Sequence, residues 1–276
     1  MVGKNAGFCY GVRRAVERAS ECATNELPCA TLGPIIHNPQ EVDRLGRAGI
    51  RCISTPEEAK PGETVIIRSH GVSPDVVKQI DALNLPVIDL TCPYVAHIHQ
   101  LVKNAPEDRT VIIVGEAEHP EVQGIAGWAN AKAIVIATPE EAETARLPEK
   151  ALVVAQTTLR EETYQHVLDV LRRRISDLEI HHTICSATEQ RQREAEKLSE
   201  NADITIVVGG HNSSNTQKLY ETCKRHCSRT VLIETPDDLG QGMIRKTDKV
   251  AVTAGASTPQ WLLESVCSKI RELGGD

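Results

Sequence analysis

Cys9, Cys92 and Cys185 stand 83 and 93 residues apart in a chain of 276. Each immediately precedes a run with helical amphipathic spacing: GVRRAVERA, PYVAHIHQLV and SATEQRQREAEKL. The second and third also follow strand-like runs, VIDLT and LEIHHTI. Thiolates bind soft or borderline metals, so zinc and iron–sulfur clusters are the groups to consider. The chain has neither a C-x-x-C pair nor a ferredoxin spacing, which argues against a closed structural site. Three lone cysteines brought to one centre would give a metal three protein ligands and one open position. Two groups suit that arrangement, a 4Fe–4S cube with one free iron and a catalytic zinc. A helix N-terminus beside each cysteine would favour ligation as thiolate. Cys22, Cys29, Cys52, Cys223, Cys227 and Cys267 have no matched positions. Cys223 and Cys227, at i and i+4 around His226, read as ordinary helix thiols.

Two further positions recur with the cysteines. About 27 residues after each, an apolar run reaches His37-Asn-Pro, His119-Pro-Glu or His211-Asn-Ser, and a helix pattern follows. Later in each third a polar strand end opens another helix, at Ser69-His70-Gly71, Gln156-Thr157-Thr158 and Ala256-Ser257-Thr258. Pro39, Pro74, Pro120 and Pro259 stand at or near first helical positions, and Ser73 and Thr258 read as N-caps. His37, His70, His119, Thr157, Ser213, Ser214, Asn215 and Ser257 therefore gather where apolar runs give way to helices. Helix N-termini aimed at one point bind anions through backbone N–H groups, and hydroxyl, amide and imidazole donors supplement them. That set suits a phosphate or diphosphate. With no Gly-x-Gly-x-x-Gly and no Walker A sequence, the ligand reads as a small phosphorylated metabolite rather than a nucleotide. Glu121 could donate a proton from a dry site; Glu116 and Glu118 are its neighbours and rivals.

The elements that must position these groups alternate. VIIR, IVIAT, ALVVA, ITIVVGG, TVLIE and KVAVTAG are short Val- and Ile-rich runs, each followed by a helix pattern or a turn. This predicts an α/β fold with mainly parallel sheets. The cysteine period divides it into three similar small units arranged pseudo-threefold around a central metal-cluster site. Their expected limits are 1–92, 93–184 and 185–276. Functional groups of such units lie beyond the carboxyl ends of the strands. The core must be aliphatic, because only 3% of the residues are aromatic. A net charge of −7 without a basic stripe argues against nucleic acid, and no apolar stretch of membrane-spanning length is present. The opening residues have no apolar signal core, which with the odd cysteine count reads as a cytoplasmic protein without a disulfide framework.

The segments AGFCYGVRRAV, IIHNP, RSHGVS, DLTCP, HPEVQG, QTTL, TICSAT, NSSNT and TAGAST run in this order from residue 6 to residue 258. Together they resemble the 4-hydroxy-3-methylbut-2-enyl diphosphate reductases, which close the non-mevalonate isoprenoid pathway. The resemblance implies one 4Fe–4S cluster per chain held by Cys9, Cys92 and Cys185. It implies a diphosphate held by His37, His70, His119, Ser213, Ser214, Asn215 and Ser257. Thr157 would meet the substrate's alcohol end, and Glu121 falls on the catalytic acid. It further implies an electron-donor protein such as ferredoxin or flavodoxin, and the internal threefold makes a monomer sufficient. Tyr10 stands where the family often has Ala or Phe, and His211 where Lys is common; the lead before Cys9 is short. The readings from other classes are a three-cysteine zinc hydrolase or lyase and a non-catalytic iron–sulfur redox sensor. The phosphate-type donors argue against the sensor.

Overall fold

The computed structural model describes residues 1–274. Three parallel sheets account for all the named strands, so the α/β class is as expected. The first sheet follows α1 (Tyr10–Thr24) and contains β1 (Cys29–Leu32), β2 (Arg51–Ile53), β3 (Thr64–Ile67) and β4 (Val87–Asp89). Its helices are α2 (Pro39–Arg47) and α3 (Pro74–Ala82), and α4 (Pro93–Lys103) leads out of it. The second holds β5 (Thr110–Val114), β6 (Ile134–Ile136), β7 (Lys150–Ala155) and β8 (Asp177–Ile180), with α5 (Pro120–Trp128), α6 (Pro139–Thr144) and α7 (Glu161–Arg174) between them. The third follows α8 (Ser186–Glu200) and holds β9 (Ile204–Val208), β10 (Thr230–Ile233) and β11 (Val250–Ala254), with α9 (Ser214–His226) and α10 (Gln260–Glu272). The chain forms two compact units. One contains residues 14–35 and 45–185, hence the first two sheets; the other contains 1–13, 36–44 and the described residues from 186 onward.

The strand order is the same in each sheet: β2-β1-β3-β4, β6-β5-β7-β8 and β10-β9-β11. The third sheet names one strand fewer, and Val2 makes a parallel bridge to Val252 beside β11. The first residues of the chain thus stand where β4 and β8 stand in the other two sheets. The weakly apolar lead before Cys9 forms a bridge rather than a full strand. The glycine after each central strand donates to the end of the edge strand: Gly33 to Ile53 O at 2.7 Å, Gly115 to Ile136 O at 2.9 Å and Gly209 to Ile233 O at 2.9 Å.

Alternation explains how the second sheet is covered on both faces. Ile112, Val114 and Val153 pack with Tyr164, Leu168 and Leu171 of α7. Val111, Ile113 and Val154 face the other way, onto Ile98 and Val102 of α4 and Val122 and Ile125 of α5. A parallel strand buried on both faces reads as an unbroken apolar run, as TVIIV does. In the third sheet Cys223 fills the layer of Val207, Leu219 and Ala195, so it is a core thiol. Five helices begin on proline, at Pro39, Pro74, Pro93, Pro120 and Pro139, where the missing N–H costs no intrahelical bond. Thr258 differs from expectation. Its hydroxyl donates to Val208 O at 2.8 Å, and Pro259 takes the N-cap position of α10. No helix among the described residues is long and apolar enough to cross a membrane.

Candidate active site

The same backbone contact holds all three repeat cysteines. The Cys92 amide donates to Ser69 O at 2.9 Å, the Cys185 amide to Thr157 O at 3.0 Å and the Cys9 amide to Ala256 O at 3.2 Å. Each acceptor belongs to the polar strand end of a sheet, after β3, β7 and β11 respectively. Cys92 is therefore held by the first sheet, Cys185 by the second and Cys9 by the third. Each is half-buried and stands directly before a helix, α4, α8 or α1. Peptide dipoles at such an N-terminus favour an anionic group. Four of the other cysteines, Cys22, Cys29, Cys223 and Cys227, are buried. Burial pushes the Cys29 thiol up to about 12 and the Cys223 thiol up to about 11, which holds both protonated. The Cys227 thiol reaches Ala202 O at 3.6 Å, while His226 faces Glu196 and Glu200.

Within the unit that carries the first two sheets, β5 runs into a turn and then α5. His119 caps α5, its Nδ1 accepting the Glu121 amide at 3.1 Å. The neutral ring then carries its proton on Nε2. His70 meets this ring edge-on, with centroids 5.6 Å apart. Glu121 is 2% exposed. Its Oε1 accepts the Thr157 amide at 2.6 Å and its Oε2 accepts the Thr157 hydroxyl at 2.8 Å. Burial raises the carboxyl's pKa, and the two bonds from Thr157, which favour the ionised form, only partly offset it. Glu118 is exposed and Glu116 half-buried, so neither has an equally dry carboxyl. Gln156, 1% exposed, ties the two loops together by accepting the Glu116 amide at 3.0 Å and donating to the Thr158 hydroxyl at 3.0 Å.

A second layer supports the turn that carries His70. The His99 ring of α4 stacks on Trp128, and a Cβ on Gly71 would lie 2.6 Å from its Cε1. Gly71 also has φ +69°, so the position requires glycine twice over. Trp128 Nε1 donates to Val72 O at 2.9 Å. His99 is 6% exposed, and its Nε2 has no hydrogen-bond partner among the described residues.

The other unit gathers Cys9, His37, Ser213, Ser214, Asn215 and Ser257. The Ser257 hydroxyl lies 3.2 Å from His37 O and 3.3 Å from the Ser213 hydroxyl. Ser213 caps α9 by accepting the Thr216 amide at 3.3 Å. A Cβ on Gly210 would lie 2.7 Å from His37 O, so this glycine lets the two loops close up. Asn215 is 6% exposed, and its Nδ2 is buried with no hydrogen-bond partner among the described residues. The same is true of Nδ2 of Asn38, whose Oδ1 caps α2 at the Glu41 amide, 2.9 Å away. A buried, unsatisfied amide at a helix N-terminus is a donor awaiting an acceptor. His211 is exposed, with its amide on Glu234 Oε1 at 2.7 Å. Asn38, His99 and Gln156 were not among the expected site residues. Asn38 does stand beside His37, in one of the three recurring histidine segments.

The family described as LytB protein matches residues 1–271. Among curated proteins, the chain is 40% identical to the 4-hydroxy-3-methylbut-2-enyl diphosphate reductase of Caldanaerobacter subterraneus subsp. tengcongensis, over 100% of this chain and 98% of that one. It is 44% identical to the enzyme of the same name from Geobacter sulfurreducens, over 99% and 96%. A solved structure described as (E)-4-hydroxy-3-methyl-but-2-enyl diphosphate reductase, the terminal enzyme of the non-mevalonate pathway, superposes with a TM-score of 0.73 at 42% identity, covering 99% of this chain and 98% of that one. The E-1-hydroxy-2-methyl-but-2-enyl-4-diphosphate reductase of Plasmodium falciparum superposes with a TM-score of 0.91 at 30% identity, covering 97% and 86%. With its repeated strand order and full-length matches, the chain belongs to the LytB protein family.

Proposed function

We propose that the chain is a 4-hydroxy-3-methylbut-2-enyl diphosphate reductase. The reaction takes two electrons and two protons, removes the allylic hydroxyl as water, and yields isopentenyl and dimethylallyl diphosphate. The chain is read as three repeats, 1–92, 93–184 and 185–276, closing on one substrate. The protein is read as cytoplasmic and monomeric, supplied with electrons by ferredoxin or flavodoxin.

Three soft donors, each before a helix and each held through its amide, fit a 4Fe–4S cluster with one iron left open. Bound by Cys9, Cys92 and Cys185, such a cluster would supply single electrons and a Lewis-acidic position. The chain's own residues do the rest. Ser213, Ser214, Asn215, Ser257, His37 and His70 hold the diphosphate, and the unsatisfied Nδ2 of Asn215 donates to one of its oxygens. His119 donates to it from Nε2, the nitrogen that Glu121's amide leaves protonated. Anchored at that end, the substrate keeps its alcohol end at Thr157 and Glu121, so diphosphate binding energy serves orientation. Hydroxide leaves poorly. Glu121 holds a proton at the carboxyl because its site is dry, and gives it to the departing oxygen.

The observation that carries this reading is the buried Glu121 carboxyl held at both oxygens by Thr157. The test is turnover of the diphosphate substrate by anaerobically reconstituted protein with reduced methyl viologen, alongside an iron and acid-labile sulfide count. About four of each per chain, with both isoprenyl products formed, is the expected result. Stoichiometric zinc with no iron and no turnover would overturn it.

A further inference from the structure

The cavity at the far end of β11 from Ser257 is a solvent-open groove of about 1060 Å³. Its lining comes mainly from α8 and from residues 246–250, with Met1 and Asn5. Four cationic side chains line it: Arg193, Lys197, Lys246 and Lys249. The ammonium groups of the three lysines have no hydrogen bond or ion pair among the described residues, and all three residues are exposed. Arg193 has only a loose contact with Glu189 at 3.5 Å. The acids in the groove are already engaged. Glu194 accepts the Lys4 and Asn5 amides, each at 2.8 Å. Asp248 accepts Arg229 Nη1 and the Arg245 amide, each at 2.8 Å. In a chain of net charge −7 this is a local excess of uncommitted positive charge.

We propose that this groove docks a small acidic one-electron carrier protein. The inference rests on the reductase reading, which requires two electrons from outside the chain. Each docked carrier is oxidised by one electron. Two dockings supply the pair that, with two protons, is consumed as the hydroxyl leaves as water. Position supports the partner's identity. Asn5 in the lining is four residues from Cys9, a span of at most roughly 14 Å. The stretch from Gly3 to Cys9 that contains it is tied at both ends, Gly3 N to Val252 O at 2.9 Å and Cys9 N to Ala256 O at 3.2 Å. A carrier seated in the groove thus lies against Asn5, in the segment that leads to Cys9. The character of the surface fits too. Exposed lysines around a wide, open groove steer an acidic partner quickly and release it readily, as a shuttling carrier requires.

The experiment compares wild type with the triple variant Lys197→Glu, Lys246→Glu, Lys249→Glu and the milder triple Lys→Gln at the same positions, each with its melting temperature checked. Turnover is driven either by reduced 2Fe–2S ferredoxin or by reduced methyl viologen. Ferredoxin binding is measured separately by calorimetry at roughly 50 and 200 mM salt. The expected result is a ferredoxin-dependent kcat/KM and a binding constant weakened at least about tenfold by charge reversal, with a flattened salt dependence. Viologen-driven turnover stays within about twofold, because a small dye needs no docking surface. Ferredoxin binding equal to wild type in both triples, or a parallel fall in ferredoxin- and viologen-driven rates, overturns the proposal. Absence of viologen-driven turnover in wild type strikes the reductase reading instead, and the binding measurement still decides the groove.

Discussion

Glu121 and Thr157 meet twice, the Thr157 amide on Oε1 at 2.6 Å and its hydroxyl on Oε2 at 2.8 Å, 36 residues apart in sequence. The same threonine's carbonyl accepts the Cys185 amide at 3.0 Å. One residue after β7 therefore fixes both the dry carboxyl and a cysteine of the repeat. A shift of Thr157 moves the two together.

Glu121→Gln keeps the shape and removes the transferable proton. Turnover falls by about 10²–10⁴-fold, with iron content unchanged and diphosphate binding altered little. Near-normal turnover would move the acid to Glu116, Glu118 or the substrate.

Thr157→Val keeps the amide contact and deletes the hydroxyl that favours the ionised carboxyl. Glu121 then holds its proton to higher pH, so the alkaline limb of the kcat profile moves upward. An unmoved limb would separate the titration from Glu121.

Asn215→Ala and Ser257→Ala remove donors from the N-terminus of α9 and its neighbour. Hydrogen bonds to charged groups contribute about 1.5–3 kcal/mol, so pyrophosphate affinity falls roughly ten- to a hundredfold. The visible spectrum of the reconstituted protein stays as in wild type. A change in spectrum with binding intact would reverse the assignment.

Replacing Cys9, Cys92 or Cys185 by Ser lowers iron content steeply, whereas Cys223→Ser leaves it intact and lowers the melting temperature, because Cys223 belongs to the core. Iron retained in any of the first three would remove that residue from the ligand set.

His99 gives the protein an acid-sensitive joint. Burial brings its pKa down to about 4, and Asp89 only partly counters this. The group is a base whose folded pKa lies below the usual value of about 6.5, so the unfolded chain takes up the proton first. Stability is complete above about pH 6.5 and is lost as the pH falls towards 4, by about 2 kcal/mol between pH 7.5 and 5. Glu121 contributes with the opposite sign, since its raised pKa favours the folded state at low pH. Urea unfolding of wild type and His99→Phe at the two pH values isolates the histidine. An equal pH dependence in both proteins would remove it from the linkage.

The cysteines, the histidines after the central strands and the Ser/Thr strand ends were legible because each is a local event repeated three times. The α/β class followed from runs such as ITIVV and ALVVA, whose unbroken apolar character marks strands covered on both faces. The partner of each cysteine was not legible. Chain order groups Cys9 with the residues that follow it, while the structure hangs it on Ala256, because Val2 extends the third sheet beside β11. MVGK is too short and too polar to announce that strand. His99 was hidden for a similar reason, since its meaning comes from Gly71, 28 residues earlier, and from Trp128 on another helix. The unsatisfied amide of Asn38 is equally a tertiary fact; in sequence it is only a helix cap.

The tie between the first residues and the last sheet also sets an order of events during synthesis. Cys9 is made well before Ala256, whose carbonyl receives its amide. At about 5–20 residues per second, roughly 12–50 s of translation separate the two. Cys92 and Cys185 find their carbonyl partners as soon as they emerge, because Ser69 and Thr157 precede them. The nascent chain can thus complete two of its three cysteine seats early, while the third stays open until Ala256 has been made.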